Sequence, residues 1–340
     1  MTGKQQLIER STAPLGEIQA LLAEQFIDAA HVLAPNLDDS QLGQWCDHCM
    51  DLASRSPRVA SAFMLAAPQV LPYLEADQLA SWADRGSRLC GGSWKSIGLA
   101  ASFYEGSARL FALLPTEAVF QLADILRELS LHSIETAARC LTQASTLRNK
   151  VPQEVLTAFL DLGMLIARNS WIHATLLFEK GPTQLAGIAA NTRSPLLVLI
   201  HRICTDTREQ PHGLLTDLCD SLAEIDTHEH RKLVDLAVLL ALKNPAVAAE
   251  FLRSAGVVRK RLSDLQSMTL WLESGLALLE VHGDKTTQAY FRIDSAYAEE
   301  ILSELSGSVQ FESVAGVLQL YGKALGGDDV RLHITGVNDH

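Results

Sequence analysis

The chain has 340 residues, with 28 Lys plus Arg against 40 Asp plus Glu, a formal charge of −12. Apolar residues make up 48% and charged residues 20%, the balance of a packed globular protein and not of a disordered one. The acidic excess argues against a general nucleic-acid binder, which needs basic surface to neutralise phosphates, and the six scattered Cys do not form a disulfide framework.

The first residues, Met1 to Phe26, alternate polar with apolar side chains and contain no signal-peptide core. Apolar runs such as Pro195 to Ile200 are far short of the roughly 18 residues that span a bilayer. No membrane span is expected, and the expected compartment is the cytoplasm.

Helical periodicity runs through most of the chain. Leu42, Trp45, Cys49 and Leu52 make one apolar stripe, and Leu122, Ile125, Leu126 and Leu129 another. Leu233 to Leu240 repeats apolar residues at i, i+3, i+4 and i+7, and Val314, Val317, Leu318 and Tyr321 follow suit. Ala, Leu, Glu and Gln, all good helix formers, dominate these runs. Period-2 patterning is weak and confined to Val330 to Ile334. The fold class predicted is all-α.

The runs resemble one another. Trp45 and Trp82 stand 37 residues apart, and Gly86 and Gly163 stand 77 apart. Trp82 to Gly86 recurs in form at Trp271 to Gly275, and Ser56 to Phe63 at Asn244 to Phe251. Candidate N-caps fall at Ser56, Ser93, Ser133, Ser170 and Asn244, each followed by Pro, Trp or Ile. A side-chain oxygen there can accept from a free N–H of the first helical turn. Pro57, Pro195 and Pro245 are expected at first helical positions, where the missing N–H costs nothing. A period of about 37–40 residues with two helices per unit predicts an α-solenoid of helix-pair repeats, HEAT/TPR-like although the TPR consensus does not match. The competing architecture is an irregular helical bundle. The organisation expected is an N-terminal helical cap over 1–36, a repeat array over 37–285, a C-terminal helical cap over 286–332 and a tail or linker over 333–340.

Several constellations bear on chemistry. Trp45-Cys46-Asp47-His48-Cys49 resembles a thioredoxin-type redox motif or half of a zinc site. The βαβ context is missing, and Cys90, Cys140, Cys204 and Cys219 supply no second Cys pair. The reading preferred is a helix with both Cys inside it, one on the core face. His228-Glu229-His230 lacks the i, i+4 spacing of a helical metal pair and reads as a solvated interhelix loop. An all-α enzyme or metal-binding protein built on Cys46, His48 and Cys49, or on His228 and His230, is the alternative of a different class. Gly316 to Ala324 misses the P-loop pattern by one residue and by its terminal Ser or Thr. G-x-S-x-G and glycine-rich dinucleotide fingerprints are absent. No catalytic, cofactor or metal residue is assigned. Arg253, Arg259, Lys260 and Arg261 are the one local basic concentration and the candidate contact for an acidic partner, with a solvated helix end as the plainer alternative.

The tryptophan-marked units, Leu79 to Leu89 and Ser93 to Phe103, combine with a C-terminal block of Tyr290 to Ser295, Leu302 to Leu305, Val309, Val314, Leu318 to Tyr321, Ala324, Leu325 and Val330. Together they resemble the helical N-terminal region of NorD/CbbO-type von Willebrand A adaptor proteins, over about residues 37 to 332. The resemblance implies a non-catalytic adaptor that docks on a hexameric MoxR-class AAA+ ATPase and couples ATP-driven remodelling to a client. In the CbbO branch the client is Rubisco, which is preferred here; in the NorD branch the adaptor serves nitric oxide reductase maturation. ATP and magnesium are then expected on the partner ATPase only. The von Willebrand A domain and its DxSxS motif do not occur in these 340 residues. The chain is therefore expected to be the N-terminal portion of a longer protein, with client binding through the further domain.

Overall fold

A computed structural model describes residues 3–147 and 150–261, together with Gln288 and Phe291. The described residues are helical, with no strand among them. In chain order the helices are α1 (Gly3–Ile18), α2 (Ala20–Leu33), α3 (Asp39–Arg55), α4 (Pro57–Val70), α5 (Ala76–Leu89), α6 (Trp94–Leu113) and α7 (Thr116–His132). Then come α8 (Ile134–Ala144), α9 (Gln153–Asn169), α10 (Ala174–Ala186), α11 (Ala190–Thr207), α12 (Pro211–Ala223), α13 (Thr227–Lys243) and α14 (Pro245–Arg261). Short 3-10 turns cover Leu71–Tyr73 and Trp171–His173. The chain divides into two compact units, at Pro182–Thr183.

Local chemistry sets several helix starts. Ser93 Oγ accepts from Ser96 N–H at 3.1 Å, Ser133 Oγ from Thr136 N–H at 3.2 Å and Asn244 Oδ1 from Val247 N–H at 3.1 Å. Ser56 Oγ does the same for Val59 at a longer 3.5 Å. Asp38 with Gln41 and Glu75 with Gln78 close capping boxes on α3 and α5. Ser170 departs from expectation. A 3-10 turn follows it, and its buried Oγ caps nothing. Pro57 and Pro245 open their helices, as expected, but Pro195 sits inside α11. A proline there cannot bond the carbonyl four residues back, and Arg231 Nη1 donates to that carbonyl, on Asn191, at 2.9 Å.

In the first unit the odd-numbered helices α1, α3, α5, α7 and α9 are in contact in turn, as are the even-numbered α2, α4, α6 and α8, and α1 packs on α2, α3 on α4, α5 on α6 and α7 on α8. In the second, α11 packs on α12, α13 and α14, and α12 on α14. The N-caps of α3, α5, α7, α9, α11 and α13 are Asp38, Glu75, Pro115, Pro152, Ala189 and Asp226, at steps of 37, 40, 37, 37 and 37. Seven residues past each stands a buried apolar side chain: Trp45, Trp82, Leu122, Phe159, Leu196 and Leu233. Each falls two turns into its helix, on the face that meets the core.

Aromatic rings fill the start of the first unit's core. Phe26 stacks on Trp45 at 4.9 Å, Phe63 lies 5.2 Å from both Trp82 and Tyr104, and Trp82 meets Tyr104 edge-on at 5.0 Å. Gly86 admits the Tyr104 ring, which occupies the place of a Cβ at that position, and Tyr104 Oη donates to Ala83 O at 2.7 Å. Gly163 makes the matching close approach, with Ile125 3.3 Å and Phe178 3.5 Å from where its Cβ would lie.

Trp45 and Trp82 differ in one respect. Trp82 Nε1 donates to Ser107 Oγ at 2.9 Å, whereas the buried Trp45 Nε1 has no partner. The position 37 residues before Ser107 is Val70, which carries no acceptor. Trp82→Phe loses a buried hydrogen bond and Trp45→Phe loses none, so Trp82→Phe is expected to cost about 1 kcal/mol more in urea denaturation.

In the second unit, Ser221 of α12 reaches into α14. Its Oγ donates to Leu252 O at 2.6 Å and accepts from Gly256 N–H at 2.8 Å, bridging two groups that pair directly in a regular helix. Phe291 is buried against Phe251, with ring centroids 5.5 Å apart, and its carbonyl accepts from Ser254 Oγ. The rest of the expected C-terminal cap over 286–332, the tail over 333–340, Trp271 to Gly275, the P-loop-like Gly316 to Ala324 and Val330 to Ile334 lie outside the described residues.

Candidate interaction surface

Cys46, His48 and Cys49 all belong to α3, inside a helix as expected. Both cysteines are buried, where one had been expected on the core face. Burial pushes the Cys46 thiol up to about 11 and the Cys49 thiol well above its ordinary value. Cys140, Cys204 and Cys219 are pushed up to about 12 for the same reason, and the less buried Cys90 is raised too. A thiol held protonated is neither nucleophile nor metal ligand. With the native chain at pH 8, a chromogenic disulfide is expected to titrate Cys90 first and the other five only on unfolding.

His48 is half-buried, with its ring edge-on to Phe63 at 6.4 Å. Burial lowers its pKa below the ordinary 6.5, against the opposing pull of Asp84, Asp51 and Asp47. The neutral ring is thus favoured in the folded state. The unfolded chain takes up the proton first, so stability falls as pH drops below about 6.5. His48→Gln is expected to remove that part of the acid sensitivity, measured as urea midpoint against pH.

His228, Glu229 and His230 are corrected by the structure. They form the first turn of α13, not a solvated loop. His228 is exposed, but His230 is fully buried: its Nδ1 accepts from Ala189 N–H at 3.2 Å and its Nε2 donates to Ile225 O at 2.9 Å. The ring joins the start of α11 to the end of α12, a job decided by tertiary contact and invisible in local spacing. Among the described residues no group of three or more His, Cys, Asp or Glu is placed to hold a metal ion.

Arg253 lies on α14 and faces the chain's own carboxylates. Its guanidinium pairs with Glu209, with Asp217 at 3.1 Å and with Glu250 at 3.3 Å. Burial works against its charge, but these carboxylates outweigh burial and raise its pKa. An acidic partner at Arg253 has to displace all three. Arg259, Lys260 and Arg261 fall in the last turn of α14, and their side chains lie outside the described residues.

The more conspicuous surface of the first unit lies elsewhere. The turns joining α3 to α4, α5 to α6, α7 to α8 and α9 to α10 sit side by side, linked by their own side chains. Arg55 Nη1 donates to Ser87 O at 3.3 Å, Lys95 pairs with Glu135, and His132 stacks on Trp171 at 6.0 Å with the planes 1° apart. Along this edge Trp94 is 77% exposed, Ile172 66% and Leu131 58%. Trp94 directly follows the N-cap Ser93, and Trp171 follows Ser170 and opens a 3-10 turn. A first-turn side chain points back past the start of its helix, which leaves Trp94 free to project.

Charge separates across the unit. The last turns of α3, α5, α7 and α9, at this edge, carry Arg55, Arg88, His132 and Arg168. Their first turns, at the opposite edge, carry Asp39, Asp77, Glu117 and Glu154. Each placement favours its helix dipole; at this edge Arg55 and Arg88 are paired with Asp51 and Asp84 of their own helices. An open groove of about 300 Å³ runs along α4 and α6, with Ala62, Leu65 and Ala66 in its lining and Arg58 and Glu105 among its polar residues. No helix among the described residues is long and apolar enough to cross a membrane. No family model matches the chain, and neither a curated protein nor a solved structure matches it.

Proposed function

We propose that this chain is a non-catalytic interaction module, an α-solenoid of helix-pair repeats that works as a cytoplasmic adaptor. The observation that carries this reading is the recurrence of N-caps at steps of 37 or 40 residues together with next-but-one packing of the helices from α1 to α9 in the first unit and of α11 on α13 and α12 on α14 in the second. A repeat that touches only its neighbours leaves a long surface open to partners. The protonated, buried cysteines and the internally committed His230 support the same reading, because the two constellations richest in reactive side chains are occupied by packing.

The resemblance to NorD/CbbO-type proteins supplies the partner. The chain docks on a MoxR-class AAA+ hexamer, which binds the ATP and magnesium, and Rubisco is the client. The test is size-exclusion chromatography of the purified chain with a MoxR-class hexamer, followed by the hexamer's ATPase rate. Co-migration and a saturable change in rate are expected. Separate elution with an unchanged rate rejects the partner.

A further inference from the structure

We infer that the edge carrying Trp94, Leu131 and Ile172 is a docking surface for an acidic, apolar-bearing segment of a partner protein. The choice of a protein occupant rests on the interaction-module reading above; the location and the chemistry rest on this edge alone.

Three observations converge. First, exposed apolar side chains recur along this edge, which carries the most exposed of them, Trp94 and Ile172. The Lys95–Glu135 pair and the His132–Trp171 stack tie three successive turns together, so Trp94, Leu131 and Ile172 belong to one row. Ile18 and Leu21, both exposed, flank the preceding α1–α2 turn of the same kind. Apolar groups in water on a single edge are stabilised by a partner that covers them.

Second, the row is basic. Of its carboxylates, Asp51, Asp84 and Glu135 are matched by a cation, Arg55, Arg88 and Lys95, and Glu128 has no such match among the described residues. Arg58 and Arg168 are exposed and have no ion-pair partner among the described residues. The residual charge is therefore positive on a chain of net −12, and it selects an acidic occupant. The helix dipoles add little to this, because helices end and begin at the same turns.

Third, the side chains suit that occupant. Trp and Arg are the residue types that most often dominate binding energy. Lys95 Nζ, 5.7 Å from the Trp94 ring centroid, keeps a cation over the ring's face. A segment that alternates apolar and acidic residues can pack on Trp94 and Ile172 while its carboxylates reach Arg58 and Arg168.

The test uses the full chain and two fluorescent peptides, one alternating Glu with Leu and one alternating Lys with Leu, read by anisotropy. The acidic peptide is expected to bind and the basic one not to. Binding is expected to weaken about tenfold in Trp94→Ala, to weaken in Arg58→Glu with Arg168→Glu, and to fall as salt rises through about 0.1 M. Trp94 and both arginines are exposed, so these variants should keep the wild-type circular dichroism; one that does not is replaced by Ile172→Ala. Equal binding of both peptides, or of the acidic peptide by wild type and Trp94→Ala, overturns the inference. Self-association in sedimentation that Trp94→Ala abolishes also overturns it, since the occupant is then a second copy. A chain that ignores the acidic peptide yet co-migrates with the hexamer overturns this edge and leaves the adaptor reading standing.

Discussion

Gly256→Ala is expected to destabilise the second unit by about 3 kcal/mol, the upper end of what overpacking costs. The added Cβ would fall well inside contact distance of the Ser221 carbonyl, a backbone atom of α12 that no rotamer change can move. Separating the two helices to relieve the clash also pulls Ser221 Oγ away from Leu252 O and Gly256 N–H. Ser221→Ala separates the two effects: it removes the bridge without a clash and lets Gly256 N–H pair with Leu252 O as in a regular helix, so it is expected to cost only about 1 kcal/mol. Urea denaturation followed by circular dichroism gives both values, provided the denaturant slope is unchanged.

His230→Phe is expected to cost about 3 kcal/mol. Phenylalanine fills the space but leaves Ala189 N–H and Ile225 C=O without their partner, and each buried unpaired group costs about 1–3 kcal/mol. His230→Gln keeps one donor and one acceptor on its amide and should recover part of the loss. If His230→Phe proves as stable as wild type, the ring is not the link between α11 and α12 that its two hydrogen bonds indicate.

What was legible in the sequence follows the range of the forces involved. Caps are local, so Ser93, Ser133 and Asn244 could be read from the residues beside them. All-helical structure was legible from apolar periodicity, because the face that must be buried recurs with the helix turn. Pro195 was misplaced because its freed carbonyl is satisfied by Arg231, 40 residues from Asn191. His230 was misread for a similar reason: its partner Ala189 is 41 residues away. Arg253 looked like part of a free basic run because Asp217 and Glu209 stand 36 and 44 residues earlier in the chain.

The proposed docking edge shows the same division. The sequence singled out Ser93-Trp94 and Ser170-Trp171, but only as helix starts. Their place in one basic row depends on α5, α7 and α9 lying side by side, which no local pattern states. One local signal was present: Arg55, Arg88, His132 and Arg168 close successive odd-numbered helices, while Asp39, Asp77, Glu117 and Glu154 open them. Read as dipole compensation alone, that alternation stabilises helices. Combined with lateral packing, it sorts charge onto two opposite edges of the unit.

Amide hydrogen exchange of the chain, alone and with a MoxR-class hexamer in excess, reads the adaptor function and its location in one experiment. Slowed exchange is expected in peptides covering 91–95, 131–135 and 170–173, with the rest of the chain unchanged. Protection confined to 253–261 would move the docking site to the basic run at the end of α14. An exchange pattern identical with and without the hexamer contradicts the adaptor reading.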